Sequence, residues 1–171
     1  MKINKKCKIE LIASKDETRS AINDPYLDGN LLVATDGRKM VVLTVELEEG
    51  DTDGYISKEA LIQARKLAIK NNPSIISAKQ ESLRLANGTI LQRKSDTQFP
   101  KWKQVIPEKN DNRKEISFNA KFLWEMAQSM GAENVKISIL DEKSPLIIYP
   151  LLFDNPGSKD YGVLMPVCKI K

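Results

Sequence analysis

Leu32-Val33-Ala34-Thr35-Asp36-Gly37-Arg38-Lys39-Met40-Val41-Val42-Leu43 places two apolar runs on either side of an Asp-Gly pair. Val- and Leu-rich runs around such a pair read as antiparallel strands, here Leu31 to Thr35 and Met40 to Glu46, joined by a tight turn. The glycine supplies the positive φ that the turn demands. Upstream, Lys8 to Ala13 is expected to be a further strand. Lys15 to Asp24 is short, charged and without apolar periodicity, so no full helix is expected there.

Downstream of this hairpin a unit recurs. After the acidic turn Glu48 to Gly54, Tyr55-Ile56 is followed by Ser57 as a helix N-cap. A helix then runs to about Lys70, with Ala60, Leu61, Ala64, Leu67 and Ala68 on one face. Asn71-Asn72-Pro73 stops it. Strands follow at Ser74 to Ala78, Ser82 to Leu85 and Thr89 to Gln92, the last two joined through Asn87-Gly88. The second copy opens with Glu115-Ile116-Ser117-Phe118 and caps at Asn119. Its helix runs to about Met130, with Phe122, Leu123, Met126, Ala127 and Met130 on the apolar face and Gly131 placed to end it. Strands are expected at Val135 to Leu140, Leu146 to Phe153 and Tyr161 to Ile170, with a polar turn at 141–144 and a loop at 154–160. The order strand, helix, three strands has repeated, and the N-terminal portion reads as an abbreviated third copy. The expected fold is α+β, with helices on one face of antiparallel sheets. Residues 1–107 form one domain and residues 108–171, opening on the polar linker Glu108 to Lys114, form a half domain.

Composition narrows the function. With 171 residues and 41% apolar content the chain buries a real core. Its longest apolar runs, about 8 residues, fall well short of the ~20 that span a bilayer. The basic segment Met1 to Lys8 is not followed by a signal-type apolar region, so neither membrane nor export is expected. Cys7 and Cys168 stand at opposite ends without metal-ligand spacing, which makes a reducing cytoplasm the default. The absence of histidine removes Ser-His and Cys-His nucleophiles and histidine-ligated metals together. There is no phosphate-binding glycine loop and no nucleophile elbow. The acidic residues Glu48, Glu49, Asp51 and Asp53 have the chemistry to ligate magnesium, but interleaved with Gly50 and Gly54 they read as a turn. No catalytic residue, metal or cofactor is expected. The net charge of +4 is concentrated at the termini, in Lys2, Lys5, Lys6, Lys8, Lys169 and Lys171, and suits a polyanionic partner as well as it suits solvated ends.

Two more segments, Phe99-Pro100-Lys101-Trp102-Lys103-Gln104-Val105-Ile106-Pro107 and Tyr161-Gly162-Val163-Leu164-Met165-Pro166-Val167, join the opening hairpin in a combination that resembles the bacterial sliding clamp. That family is the beta subunit of DNA polymerase III, a ring that encircles duplex DNA and tethers polymerases. Residues 8–107 resemble its middle domain, with much of the first helix missing. Residues 114–171 resemble the second half of its last domain, and roughly half of a standard clamp has no counterpart. The resemblance implies a pocket for partner peptides at Thr35, Gly37, Arg38, Lys39 and Met40, at Pro100, Gln104 and Val105, and at Pro145, Val163, Met165 and Pro166. Gln104 stands where the family often carries a basic residue. Met40, Val105, Val163 and Met165 would give an adaptable apolar surface, with Arg38 or Gln104 bonding a peptide backbone. Read without the resemblance, the same residues are strand ends and core.

The resemblance further implies duplex DNA as a partner, met by Lys58, Arg65, Lys66 and Lys70 on the first helix, which contact phosphates without reading sequence. The second helix offers Lys121 against Glu125. The expected function is a DNA-sliding-clamp-like processivity or scaffolding factor for DNA replication, cytoplasmic and self-associating as a homo-oligomer, that recruits polymerase or repair proteins carrying clamp-binding peptides. The rival reading is a protein-interaction module that binds such peptides without holding DNA. A metal-dependent nuclease stands a distant third.

Overall fold

The computed structural model describes residues 1–107, 115–151 and 159–167. The chain divides into two units, Met1–Pro107 and Glu108–Lys171. The linker expected at 108–114, the end of the apolar run at 152–153, most of the loop at 154–160, and Cys168, Lys169 and Lys171 lie outside the described residues.

Unit 1 is two halves of matching order. The first runs β1 (Lys2–Ile3), 3-10 turns at Ile9–Leu11 and Ser20–Ile22, β2 (Tyr26–Asp28), β3 (Leu31–Thr35) and β4 (Met40–Thr44). The second runs β5 (Gly54–Tyr55), α1 (Lys58–Leu67), β6 (Ser74–Ala78), β7 (Ser82–Leu85) and β8 (Ile90–Gln92). Each half gives its first strand to the other half's sheet, so the two antiparallel sheets are ordered β4-β3-β2-β5 and β8-β7-β6-β1. Tyr55 faces Tyr26 across β5–β2, and Ile3 faces Ser74 across β1–β6. One apolar core joins the halves: Ile9, Ala13, Leu27, Leu32 and Ala34 from the first meet Ala60, Leu61, Ala64, Ile76, Ala78, Leu83 and Leu85 from the second.

The sequence explains the elements. Ser57 caps α1 by accepting a hydrogen bond from Ala60 N at 3.2 Å, and Ala60, Leu61 and Ala64 are buried at helical spacing. The helix ends at Leu67, earlier than the Lys70 expected, because Ala68 turns extended and Ile69 and Asn72 close a small bridge ahead of Pro73. A residue before proline disfavours helical backbone, so the chain leaves the helix in time to enter β6. Leu67 is exposed rather than on the buried face.

The strand expected at Lys8 to Ala13 is instead a 3-10 turn at Ile9–Leu11. Ile9 and Ala13 both reach the core. A strand would put Leu11 on the same face as Ile9 and Ala13, whereas the turn leaves it 60% exposed between them. Glu10, also buried, pairs with Arg65 of α1, whose Nη1 additionally donates to Cys7 O at 3.2 Å. The three-residue turn covers less sheet than a helix would and borders a cavity of about 580 Å³ whose wall includes Cys7, Ile12, Val41, Leu43 and Val45. Sequence reading missed β1 and β2, each only two or three residues long.

Arg93, buried just after β8, ties β5 and the segment leading into it back to the sheet of their own half. Its Nε donates to Tyr55 O at 2.9 Å, Nη2 to Thr52 O at 2.8 Å, and Nη1 to Lys79 O at 2.8 Å and Thr52 Oγ1 at 2.9 Å. Gly54, at φ +138°, lets the guanidinium approach, since a Cβ there would stand 2.9 Å from Arg93 Cζ. The Met1 ammonium pairs with Asp51, whose Oδ1 also accepts Ala78 N at 2.7 Å. Burial opposes ionisation of Asp51, yet the ammonium and two backbone amides outweigh it and hold the carboxyl below its usual range.

Unit 2 repeats the order once. Residues 115–118 lead to Asn119, whose Oδ1 accepts Lys121 N at 2.9 Å and caps α2 (Ala120–Ser129). Three antiparallel strands follow, β9 (Val135–Ser138), β10 (Leu146–Pro150) and β11 (Gly162–Leu164), ordered β11-β10-β9. Leu146, Ile148 and Leu164 form the core, against which Leu123 and Met126 of α2, Met130 at its C-cap, and Ile116 and Phe118 pack. Phe122, expected on this apolar face, is exposed. At 100° per residue it falls at the margin of that face, on the far side of Met126 from Leu123.

Replacing Arg93 with Met is expected to strand at least two buried carbonyls. At about 1–3 kcal/mol for each unsatisfied group, chemical denaturation should show a loss of roughly 3 kcal/mol, against less than about 0.5 kcal/mol for the exposed Arg84→Met.

Candidate functional site

The β3–β4 turn is held by its own side chains. Thr35 Oγ1 accepts Gly37 N at 3.0 Å and donates to Lys39 O at 2.8 Å, while Asp36 Oδ1 accepts Arg38 N and Lys39 N, each at 2.9 Å. Those two amide bonds hold the Asp36 carboxyl below its usual range. Gly37 sits at φ +88°, and Arg19 Nη1 reaches Asp36 O at 2.8 Å, bracing the turn from outside. Gly37, Arg38 and Lys39 are thus presented at the surface, and Thr35 serves mainly to shape the loop.

Met40 is half-buried against an aromatic cluster of Ile22, Val33, Tyr55, Phe99 and Trp102. Tyr26 stacks on Phe99 with centroids 5.1 Å apart and stands edge-on to Tyr55 at 5.2 Å. This cluster seats the 3-10 turn Trp102–Val105. Trp102 Nε1 donates to Asp28 Oδ2 at 3.0 Å, and Lys103 Nζ lies 2.9 Å from the same oxygen. Pro100 and Gln104 line a cavity of about 520 Å³ around the turn, with Tyr26, Asp28 and Phe99 in its wall. Val105 projects outward, 70% exposed. Of the expected site residues in unit 1, Met40 thus shares the Trp102 cluster, Pro100 and Gln104 share a cavity, and Val105 is a free apolar surface.

In unit 2, Val163 and Met165 are 54% and 62% exposed. They line a cavity of about 530 Å³ between β11 and α2, whose helical wall is Phe122, Glu125, Met126 and Ser129. Pro145 is exposed ahead of β10, and Pro166 is half-buried just after Met165. The reading of Val105, Val163 and Met165 as core side chains therefore does not hold.

The four cations expected on α1 divide into two pairs. Lys58 Nζ donates to Ser14 O at 2.7 Å, and Arg65 is held by Glu10 and Cys7 O. Both fasten the N-terminal segment onto α1. Lys66 on α1 and Lys70, which lies beyond the helix end at Leu67 and not on the helix as expected, are exposed. On α2, Lys121 lies 3.5 Å from Glu125, so that face is close to neutral. Among the described residues no cluster of acidic or cysteine side chains could hold a metal ion, and Asp51 of the acidic turn is occupied by amides and the Met1 ammonium. Nor, among the described residues, is any helix long and apolar enough to cross a membrane.

No family model and no curated protein matches the chain. Solved structures do. It aligns with the C. crescentus beta sliding clamp at a TM-score of 0.70 and 19% identity, over 93% of this chain and 46% of the clamp. It aligns with DNA polymerase III subunit beta from Borrelia burgdorferi at a TM-score of 0.62 and 18% identity, over 86% of this chain and 43% of that one. The fold is that of the bacterial sliding clamp. At such identities the likeness speaks for fold, and the chain spans less than half the length of either clamp.

Within this clamp fold, two contributors went unread in the sequence. Asp28, which anchors Trp102 from 74 residues away, carried no local signal. Phe122 drew attention only as a core residue, whereas it lines the cavity with Val163 and Met165.

Lys103, and against some burial Trp102, hold the Asp28 carboxyl below its usual range. A carboxyl whose folded pKa is depressed stabilises the fold above its unfolded pKa of about 3.9, and that contribution is lost as pH falls through the folded value. Trp102 should therefore loosen only under acid, seen as a red shift in its emission below about pH 4. Asp28→Asn should remove that acid transition, and a parent whose Trp102 environment is unchanged down to global acid unfolding would contradict the anchoring role.

Proposed function

We propose that this chain is a clamp-like, non-enzymatic scaffold that associates with duplex DNA and recruits polymerase or repair proteins through short peptides. The observation that carries the reading is the clamp fold together with the exposure of Val105 on the surface of unit 1 and of Val163 and Met165 in a groove of unit 2, where apolar residues are presented chiefly when something binds them. Methionine suits such a surface because its unbranched thioether repacks around different side chains. On each unit the partner peptide would use its own set: the Gly37–Met40 turn with Pro100, Gln104 and Val105 on unit 1, and Pro145, Val163, Met165 and Pro166 on unit 2. DNA would be met by Lys66 and Lys70 as point charges on phosphates, with Lys58 and Arg65 reaching it only by giving up their present bonds.

A non-encircling module that competes for clamp-binding peptides is the second reading. It is favoured by the commitment of Lys58 and Arg65, two of the four expected DNA-contacting cations, to the fold.

Peptide binding is tested with Met165→Asp. An unpaired carboxylate against Phe122 and Val163 should weaken a short clamp-binding peptide by about 2 kcal/mol or more, while thermal unfolding stays near that of the parent. A folded parent that binds no such peptide would defeat the recruitment mechanism.

DNA binding is tested with Lys66→Glu/Lys70→Glu. Affinity for duplex should fall alike on every sequence, and the log–log salt slope should shrink by about 1 for each lost phosphate contact. A parent without measurable duplex binding at low salt, but with peptide affinity intact, would select the module.

A further inference from the structure

The two halves of unit 1 repeat in order but differ in what crosses the sheet. In the second half the connection 56–73 carries α1, which lies over β6 and β7 and buries Ala60, Leu61 and Ala64. In the first half the connection 4–25 is no shorter, yet it carries only the 3-10 turns, of which Ile9–Leu11 packs over β3. The inner face of β4 is left without a helix. Strand alternation turns Val41, Leu43 and, just past the strand end, Val45 toward the core side, where they stay half-buried and form one wall of the cavity of about 580 Å³. Ile9 and Ile12 form another wall.

Backbone bonds hold these walls apart. Lys2 N donates to Glu46 O at 2.8 Å and Cys7 N to Asn4 O at 2.9 Å, while Arg65 of α1 pairs with Glu10 and donates to Cys7 O at 3.2 Å. The segment bordering the cavity is thereby fastened beyond the end of β4 on one side and to α1 on the other. Charge at the mouth is one-sided. Lys2 is paired with Glu46, whereas Lys6 and Lys8, both exposed and both bordering the cavity, are paired with no carboxylate among the described residues.

We propose that this groove is the docking site for an amphipathic α-helix of a partner protein, acidic beside its apolar stripe. Two observations select that occupant. The repeat shows what this fold lays across the equivalent sheet: a helix with small and branched apolar side chains at i, i+1 and i+4, as Ala60, Leu61 and Ala64 stand on α1. The two uncompensated lysines set the sign of its flanks, since opposite charge across a contact steers the approach and fixes the register. The volume, about 580 Å³, is also that of a site that takes a ligand's apolar groups. The groove is separate from the peptide and DNA residues named above, and the inference does not rest on them.

The probe is a peptide with the sequence of residues 57–67 in which Lys58, Arg65 and Lys66 are each replaced by Glu, stapled through positions 59 and 63 because so short a helix is marginal alone. The same stapled peptide left basic is the control. The full chain is expected to bind the acidic peptide about tenfold more tightly than the basic one at low salt, the gap closing as salt rises. Lys6→Glu/Lys8→Glu should invert the order, with the fold kept, as circular dichroism checks, because both lysines are exposed. In a Cys168→Ser background, bound acidic peptide should slow alkylation of Cys7, which borders the cavity. Equal affinity for the two peptides, no binding of either, an order unchanged in Lys6→Glu/Lys8→Glu, or binding that leaves Cys7 alkylation at its free rate would overturn the inference. Protection of Cys7 by duplex DNA or by added chain, but not by the acidic peptide, would give the groove to phosphates or to a second copy and overturn it equally. The clamp-binding peptide used against Met165→Asp should not displace the acidic probe, so the groove and the recruitment site fail separately; displacement would merge the two and defeat the claim of a second surface.

Discussion

Reciprocal exchange of first strands is the constraint on which unit 1 depends. Neither sheet is complete without a strand from the opposite half: β5 closes β4-β3-β2 and β1 closes β8-β7-β6. The exchange brings Tyr55 against Tyr26, which builds the aromatic cluster, and leads straight from β5 into the Ser57 cap that starts α1. Arg93 closes the arrangement by donating to carbonyls on two segments, Thr52 and Tyr55 on the one that runs into β5 and Lys79 after β6. A buried guanidinium has few other ways to satisfy its five donors, so Arg93 fixes the crossover as much as it stabilises it.

The candidate site is a consequence of that geometry. Trp102, Phe99 and Met40 pack on the aromatic cluster that the exchange creates, and Asp28, at the end of a strand bordered by β5, locks Trp102 in place. The 3-10 turn is thereby rigid where it meets the protein and apolar where it meets water, at Val105. Preorganisation of this kind lowers the ordering cost that a bound peptide must overcome. Two cations of α1 obey the same logic from the other side. Arg65 and Lys58 spend their donors on the segment around Ile9–Leu11, which a three-residue turn could not hold by apolar contact alone.

How much of this was legible in the sequence follows from how local each signal is. The β3–β4 hairpin, the Ser57 and Asn119 caps, the turn at Asn87-Gly88 and the five-residue strand β6 are encoded within a few residues, and they appear where the sequence put them. The repeat was legible because the order of elements, not any one of them, recurs. The turn at Ile9–Leu11 was misread because two apolar positions four apart look like part of a strand when Leu11 and Ile12 intervene. Strands β1 and β2 are too short to show alternation and exist because partners far along the chain pair with them. For the site, the resemblance located the residues, but burial could not be read: Met40, half-buried in a cluster, and Met165, largely exposed in a groove, look alike in sequence. The bonds of Lys58 and Arg65 were equally invisible, since charge on a helix face says nothing of what lies opposite.

The central claim, that the two halves of unit 1 form one structure through exchanged strands and a shared core, is tested most directly by native-state hydrogen exchange. Amides of β2, β6 and α1 should open together, with a common free energy close to that of global unfolding and a common sensitivity to denaturant. Separate openings, in which β2–β4 exchanges at a markedly lower free energy than β6–β8, would show two independently folded halves and contradict the account.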